Sequence, residues 1–97
     1  MYANIRHRTF HPGKAAEAAK QIETAAIPIL SEVRGFISFT IAQTGEDTLT
    51  TIGLFETQAA AEEAGPQIVA WADEHLSASV AGPAEITNGP VLVHNIR

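Results

Sequence analysis

Residues 35–56 read GFISFTIAQTGEDTLTTIGLFE, two β-rich runs on either side of one polar turn. Phe36 to Gln43 alternates as a strand, with Phe36, Ser38, Thr40 and Ala42 on one side and Ile37, Phe39 and Ile41 on the other. Thr44-Gly45-Glu46-Asp47 has the composition of a hairpin turn, and Thr48 to Glu56 returns through β-branched residues. Runs joined by so short a turn pair antiparallel. Both sides of both runs are apolar: Phe36 and Ala42 against Ile37, Phe39 and Ile41, and Leu49 and Phe55 against Ile52 and Leu54. A sheet covered on one side only alternates apolar with polar. This one needs cover on both.

Upstream, Gly35 reads as the C-cap of a helix that starts near Lys14. Ala15, Ala19, Ile22, Ala26, Ile29 or Leu30, and Val33 recur at three- and four-residue steps, an inner face narrow enough for close packing. Pro28 lacks an N–H, which predicts a kink or break there and a further turn to about Arg34. Before the helix, residues 2–9 alternate as a strand, with Tyr2, Asn4, Arg6 and Arg8 opposite Ala3, Ile5, His7 and Thr9. His11-Pro12-Gly13 ends that run.

Downstream, Thr57 is a good N-cap. Gly65-Pro66 predicts a split into helices 58–64 and 66–79, with Ile68, Trp71 or Ala72, and His75 or Leu76 on one stripe. Gly82-Pro83 stops the second helix. Asn88-Gly89-Pro90 reads as a bend, and Val91 to Ile96 as the last strand. The order β-α-β-β-α-β predicts an α+β, ferredoxin-like fold over residues 1–97, a single domain. Its four-stranded antiparallel sheet carries both helices on one face. The other face is left for a second copy, so a homodimer through the sheet faces is expected.

Composition narrows the function. The chain has 97 residues and no cysteine, which removes disulfides, thiolate metal sites and a cysteine nucleophile. A net charge of −5 without a basic face speaks against nucleic acid. No run approaches the ~20 apolar residues of a membrane span, and no apolar stretch of about 7–15 residues follows Met1-Tyr2-Ala3-Asn4-Ile5-Arg6 as in a signal peptide, so a cytoplasmic protein without a membrane partner is expected. His7 and His11 lie four apart on a strand and a turn, which does not bring them together on a metal. No Ser-His-Asp order, phosphate loop or carboxylate pair stands out.

Several pieces together resemble the antibiotic-biosynthesis-monooxygenase-like proteins of the dimeric α+β barrel superfamily. They are Pro28-Ile29-Leu30 with Gly35-Phe36, Leu54-Phe55, Ala70-Trp71-Ala72-Asp73-Glu74-His75-Leu76, and Gly82-Pro83-Ala84-Glu85-Ile86-Thr87 running into Val91-Leu92-Val93-His94. The resemblance implies two subunits with facing sheets and a pocket between each sheet and its own helices. It also implies a choice of activities: oxidation of quinols or anthrones by molecular oxygen without a cofactor, haem cleavage, or, as in other members, no established reaction.

On this resemblance Asn4 is a candidate catalytic amide, donating a hydrogen bond to a substrate oxygen, and His75 a candidate base. Trp71 and Phe39 would wall the pocket of an apolar or aromatic ligand, and Arg6 would anchor an acidic or phenolate group. Each has a plain structural reading beside it: a strand asparagine, a core tryptophan, a surface ion pair. The four-residue step from Trp71 to His75 departs from haem-cleaving members, whose ligating histidine lies well beyond one turn. Neither metal nor cofactor is expected. Two functions stay open: a cofactor-independent monooxygenase of a small quinol-like substrate, and a non-catalytic dimeric binding or stress-response module. Haem degradation is a third.

Overall fold

The computed structural model describes all 97 residues, Met1–Arg97. Four strands, β1 (Tyr2–Thr9), β2 (Phe36–Gly45), β3 (Thr48–Phe55) and β4 (Glu85–Pro90), form one antiparallel sheet in the order β2-β3-β1-β4. The first helical run comprises α1 (Ala15–Gln21), a π-helical turn (Ile22–Ala26) and α2 (Ile27–Ser31), and the second is α3 (Gln58–His75). The chain therefore has the expected β-α-β-β-α-β ferredoxin-like topology. None of its helices is long and apolar enough to cross a membrane.

Pro28 does not break the first helix. It falls in the first turn of α2, and the turn before it widens so that the Ile27 N–H reaches the Ile22 carbonyl. A wider π turn accommodates the missing donor and the clash with residue 24 while the helix continues. Ala18, Ile22, Ala26 and Leu30 are buried at uniform steps of four, and Ile29 is exposed. Gly35 ends the run at φ +91, where its missing Cβ also leaves room for Ala60 of α3.

Pro66 does not split the second helix either; α3 is continuous, with Pro66 inside it. The proline is exposed, so its ring disturbs no packing and costs chiefly one backbone bond. Side chains of β1 hold the flanking turns. Asn4 Nδ2 donates to the Ala61 carbonyl at 3.1 Å, and the Arg6 guanidinium donates to the Gly65 carbonyl at 3.4 Å. The helix stops at His75, short of the expected residue 79. Past it, Val80 bridges to Phe10, and the Ala81 N–H bonds to the Thr9 carbonyl, which draws the chain toward the end of β1.

Two further expectations are corrected. The last strand comprises residues 85–90, so Asn88-Gly89-Pro90 is strand rather than bend, and residues 91–96 form none. β4 is an edge strand paired only with β1, where a proline at its end costs no ladder bond. Its partner runs out at Tyr2, so Leu92, Val93 and Ile96 find no strand and stay exposed. In β2, a register shift between Phe36 and Ser38 turns Phe36 to the side of Phe39. Phe36 there meets Phe55 edge-on, with ring centroids 5.9 Å apart.

The core between sheet and helices has two parts. Phe10, Ala18, Ile22, Leu49, Trp71 and Leu76 dominate one, and Leu30, Val33, Phe55, Ala60, Ala61 and Ala64 form the other. The register places Ala3, Ile5, Ala42, Ile52 and Leu54 on the opposite face of the sheet, and none of them joins either part of the core.

Candidate functional site

β1 runs beneath α3 with Tyr2, Asn4, Arg6 and Arg8 turned toward the helices. The hydrogen bonds that Asn4 and Arg6 make to α3 carbonyls, and the bond from Arg8 to the Gly82 carbonyl at 3.1 Å, require that orientation. A strand turning its polar residues to the helix layer leaves the core incompletely filled with hydrocarbon. Three adjoining spaces lie along it, and Arg6 lines all of them.

The first is an apolar cavity of about 50 Å³, walled by Phe10, Phe39, Ile68, Trp71 and Leu76, with Arg6 and Arg8 as its charged groups. The second, about 10 Å³, lies among Asn4, Arg6, Phe39, Gly53 and Phe55. The third is a polar groove of about 230 Å³ beside the Gly65-Pro66 turn, where Tyr2, Asn4 and Arg6 meet Glu62 and Asn88. Water needs about 10–15 Å³ of such space and a benzene ring about 150 Å³. The inner cavities therefore have room for nothing larger than water as they stand, and the groove has room for a ring.

Of the residues singled out in the sequence, Arg6, Phe39 and Trp71 share the first cavity, and Asn4, Arg6 and Phe39 share the second. His75 lines none of the three. Its ring stacks on Trp71 with centroids 5.0 Å apart and planes at 17°, and Nδ1 lies 3.0 Å from the Trp71 carbonyl. A carbonyl only accepts, so Nδ1 carries the proton in that bond. Leu76, buried, takes the inward position on the stripe that His75 was one of two residues to claim.

Asn4 spends one N–H on Ala61, which leaves its second N–H and its oxygen for another partner. Arg6 and Arg8 form no ion pair; the single ion pair of the chain joins Lys14 to Glu17 at 4.0 Å. Burial, and secondarily the charge of Arg8, hold the Arg6 guanidinium below its ordinary pKa.

Sequence reasoning missed Arg8, Thr51 and Gly53 as site residues. Thr51 is buried in the floor. Gly53 pairs with Asn4 across the sheet, and a Cβ there would lie 3.1 Å from Phe55 and 3.4 Å from Phe39. The signal was a glycine inside a β-branched run, which marks a close approach. Arg8 was detectable as the residue two beyond Arg6 on the same side of the strand.

Comparison with known proteins adds to this geometry. Residues 1–65 match the family described as antibiotic biosynthesis monooxygenase. Among solved structures, a monooxygenase from the gene ActVA-Orf6 of Streptomyces coelicolor, in complex with the ligand nanaomycin D, superposes with a TM-score of 0.81 at 13% identity, covering 99% of this chain and 91% of that one. SnoaB, a cofactor-independent oxygenase from Streptomyces nogalater, gives a TM-score of 0.73 at 14% identity over 96% and 94% of the two chains. A dimeric ferredoxin-like protein from an uncultured marine organism gives 0.74 at 11% identity over 100% of each. The comparison with curated proteins gives no match.

Proposed function

The chain belongs to the antibiotic biosynthesis monooxygenase family, and we propose that it is a cofactor-independent monooxygenase of a small aromatic, quinol-like substrate, working as a homodimer through its sheet faces. The observation that carries this reading is the line of Asn4 and Arg6 along β1, beneath α3, with Phe39 and Trp71 as aromatic walls beside Arg6. The named oxygenases of the same fold support it.

The chemistry needs little from the protein. A phenolic substrate ionises more readily next to a guanidinium held in low dielectric, so Arg6 favours the phenolate or enolate form. The free N–H of Asn4 donates to the developing oxyanion. The proton lost on ionisation passes to water, the electron pair of the resulting carbanion adds to dioxygen, and the peroxide anion so formed takes a proton back to become a hydroperoxide. Loss of the second ring proton and cleavage of the O–O bond then give a carbonyl and one water. Dioxygen is the oxidant and the substrate carbon is oxidised. His75, stacked outside on Trp71, supports that ring and does not enter the proton transfer.

Oxygen uptake with anthrone as substrate tests the reading. The wild-type chain is expected to consume one dioxygen per carbonyl formed, and Asn4→Ala to lose kcat on the order of 100-fold. Turnover unchanged in Asn4→Ala would remove that role. The second reading, the non-catalytic dimeric binding module, needs the same ring-sized space, which the inner cavities offer only with movement. Ligand binding without oxygen uptake would select it.

A further inference from the structure

We propose that Arg6 and Arg8 form an anion-binding site, so that the molecule taken between sheet and helices is an aromatic acid or phenolate rather than a neutral ring. This inference rests on the aromatic site of the preceding section. Residues two apart on one side of a strand stand about 7 Å apart, close enough for two guanidinium groups to share one carboxylate. Both line the apolar cavity with Phe39 and Trp71, and no acidic residue lines it.

Acidic residues outnumber lysine and arginine by 11 to 6 in the chain, so carboxylate partners are plentiful. Even so, neither arginine is paired with one. Glu62, which shares the neighbouring groove with Arg6, stays beyond ion-pair distance. Each guanidinium has five donors and has one bond to a neutral backbone carbonyl. No buried side-chain nitrogen lacks a partner, so the guanidinium nitrogens of both that make no bond keep some exposure to solvent. Two like charges held partly out of water cost free energy that an arriving anion returns.

The same pair supplies a way in. The cavity of about 50 Å³ is too small for a ring. Arg8 ties down Gly82, and Ala84, two residues on, lines the cavity wall. A carboxylate is a stronger acceptor than the Gly82 carbonyl. Its arrival frees that bond and loosens the wall that must move.

Calorimetric titration of the full chain with 1-naphthoate and with the neutral 1-naphthamide, at low salt, tests the site. The expected result is naphthoate binding at least tenfold more tightly. Arg8→Gln should bring the two ligands within threefold, Arg8→Lys should keep most of the preference, and Arg6→Gln should behave as Arg8→Gln. Circular dichroism confirms that each variant folds. Equal affinity of the wild-type chain for both ligands would overturn the anion site and leave the aromatic site standing. Binding of neither would remove both. A preference that survives in Arg6→Gln and Arg8→Gln would place the charge recognition elsewhere and overturn the assignment.

Discussion

Gly53 is where the floor of the site is most sensitive to one atom. It faces Asn4 from the neighbouring strand, and Phe39 and Phe55 close over the space its side chain would fill. Gly53→Ala forces those rings to shift, which should cost about 1–3 kcal/mol in urea unfolding and close the space beside Asn4. Stability equal to wild type would mean that the rings yield freely. Trp71 has the opposite problem, since it fills space: Trp71→Ala should cost about 3–5 kcal/mol. His75→Ala removes only the stack and one bond to a carbonyl, so oxygen uptake should stay within threefold of wild type; a loss comparable to that of Asn4→Ala would restore the histidine as a base. The place of Asn4 and Arg6 on one side of β1 and of Trp71 on the inward stripe of α3 was legible from strand and helix periods, whereas their roles were read from the family resemblance. The choice between His75 and Leu76 as the inward residue was not legible, because a four-residue step leads from Trp71 to His75 and equally from Ala72 to Leu76. Burial, which decides between them, belongs to the packed molecule.

At the scale of the elements, the two prolines show what a local signal can and cannot settle. Pro28 and Pro66 each predict an interruption from their missing N–H. In the first helix the wider turn at Ile22–Ala26 takes up the defect, and in α3 an exposed proline is carried within a continuous helix. Neither compensation is written near the proline. The bonds to the turns around Pro66 come from Asn4 and Arg6, about sixty residues earlier in the chain. Restoring the donor with Pro66→Ala should therefore stabilise α3 by about 1–3 kcal/mol, because an interior proline is the poorest helix residue. For a chain of this size about 1 kcal/mol moves Tm by roughly 4–8 °C, so thermal circular dichroism should show a clear rise. A fall would mean that the proline shapes the helix to fit β1. The last strand was misplaced for a related reason. Alternation over residues 91–96 is genuine, but a strand also needs a partner, and β1 offers none beyond Tyr2.

At the scale of the whole molecule, the β2–β3 hairpin determines the assembly to be expected. Its apolar residues on two sides required two covers, and the helices supply one. The other face carries Ile5 opposite Ile52 and Ala3 opposite Leu54, with Ala42 on β2 and only His7 and Glu85 as titratable groups toward one end. Four strands about 4.8 Å apart and eight residues long make a face of roughly 500 Å² in plan before side chains corrugate it. A stable interface buries ~800 Å² per partner, so this face is of the right order. The row across its centre is Thr40, Ile52, Ile5 and Thr87, without a charge, and the proposed second copy would present the same uncharged row. Sedimentation at tens of micromolar should therefore give a mass of two chains. Ile52→Glu sets a carboxylate from each copy into that centre. The substitution lies on the face away from the helix core, so folding should survive while the dimer dissociates at least 100-fold more readily, since a buried unpaired charge costs several kcal/mol. A wild-type chain that sediments as a monomer would leave the outer face of the sheet without an occupant, and with it the physical reason for so many apolar residues on both sides of the hairpin.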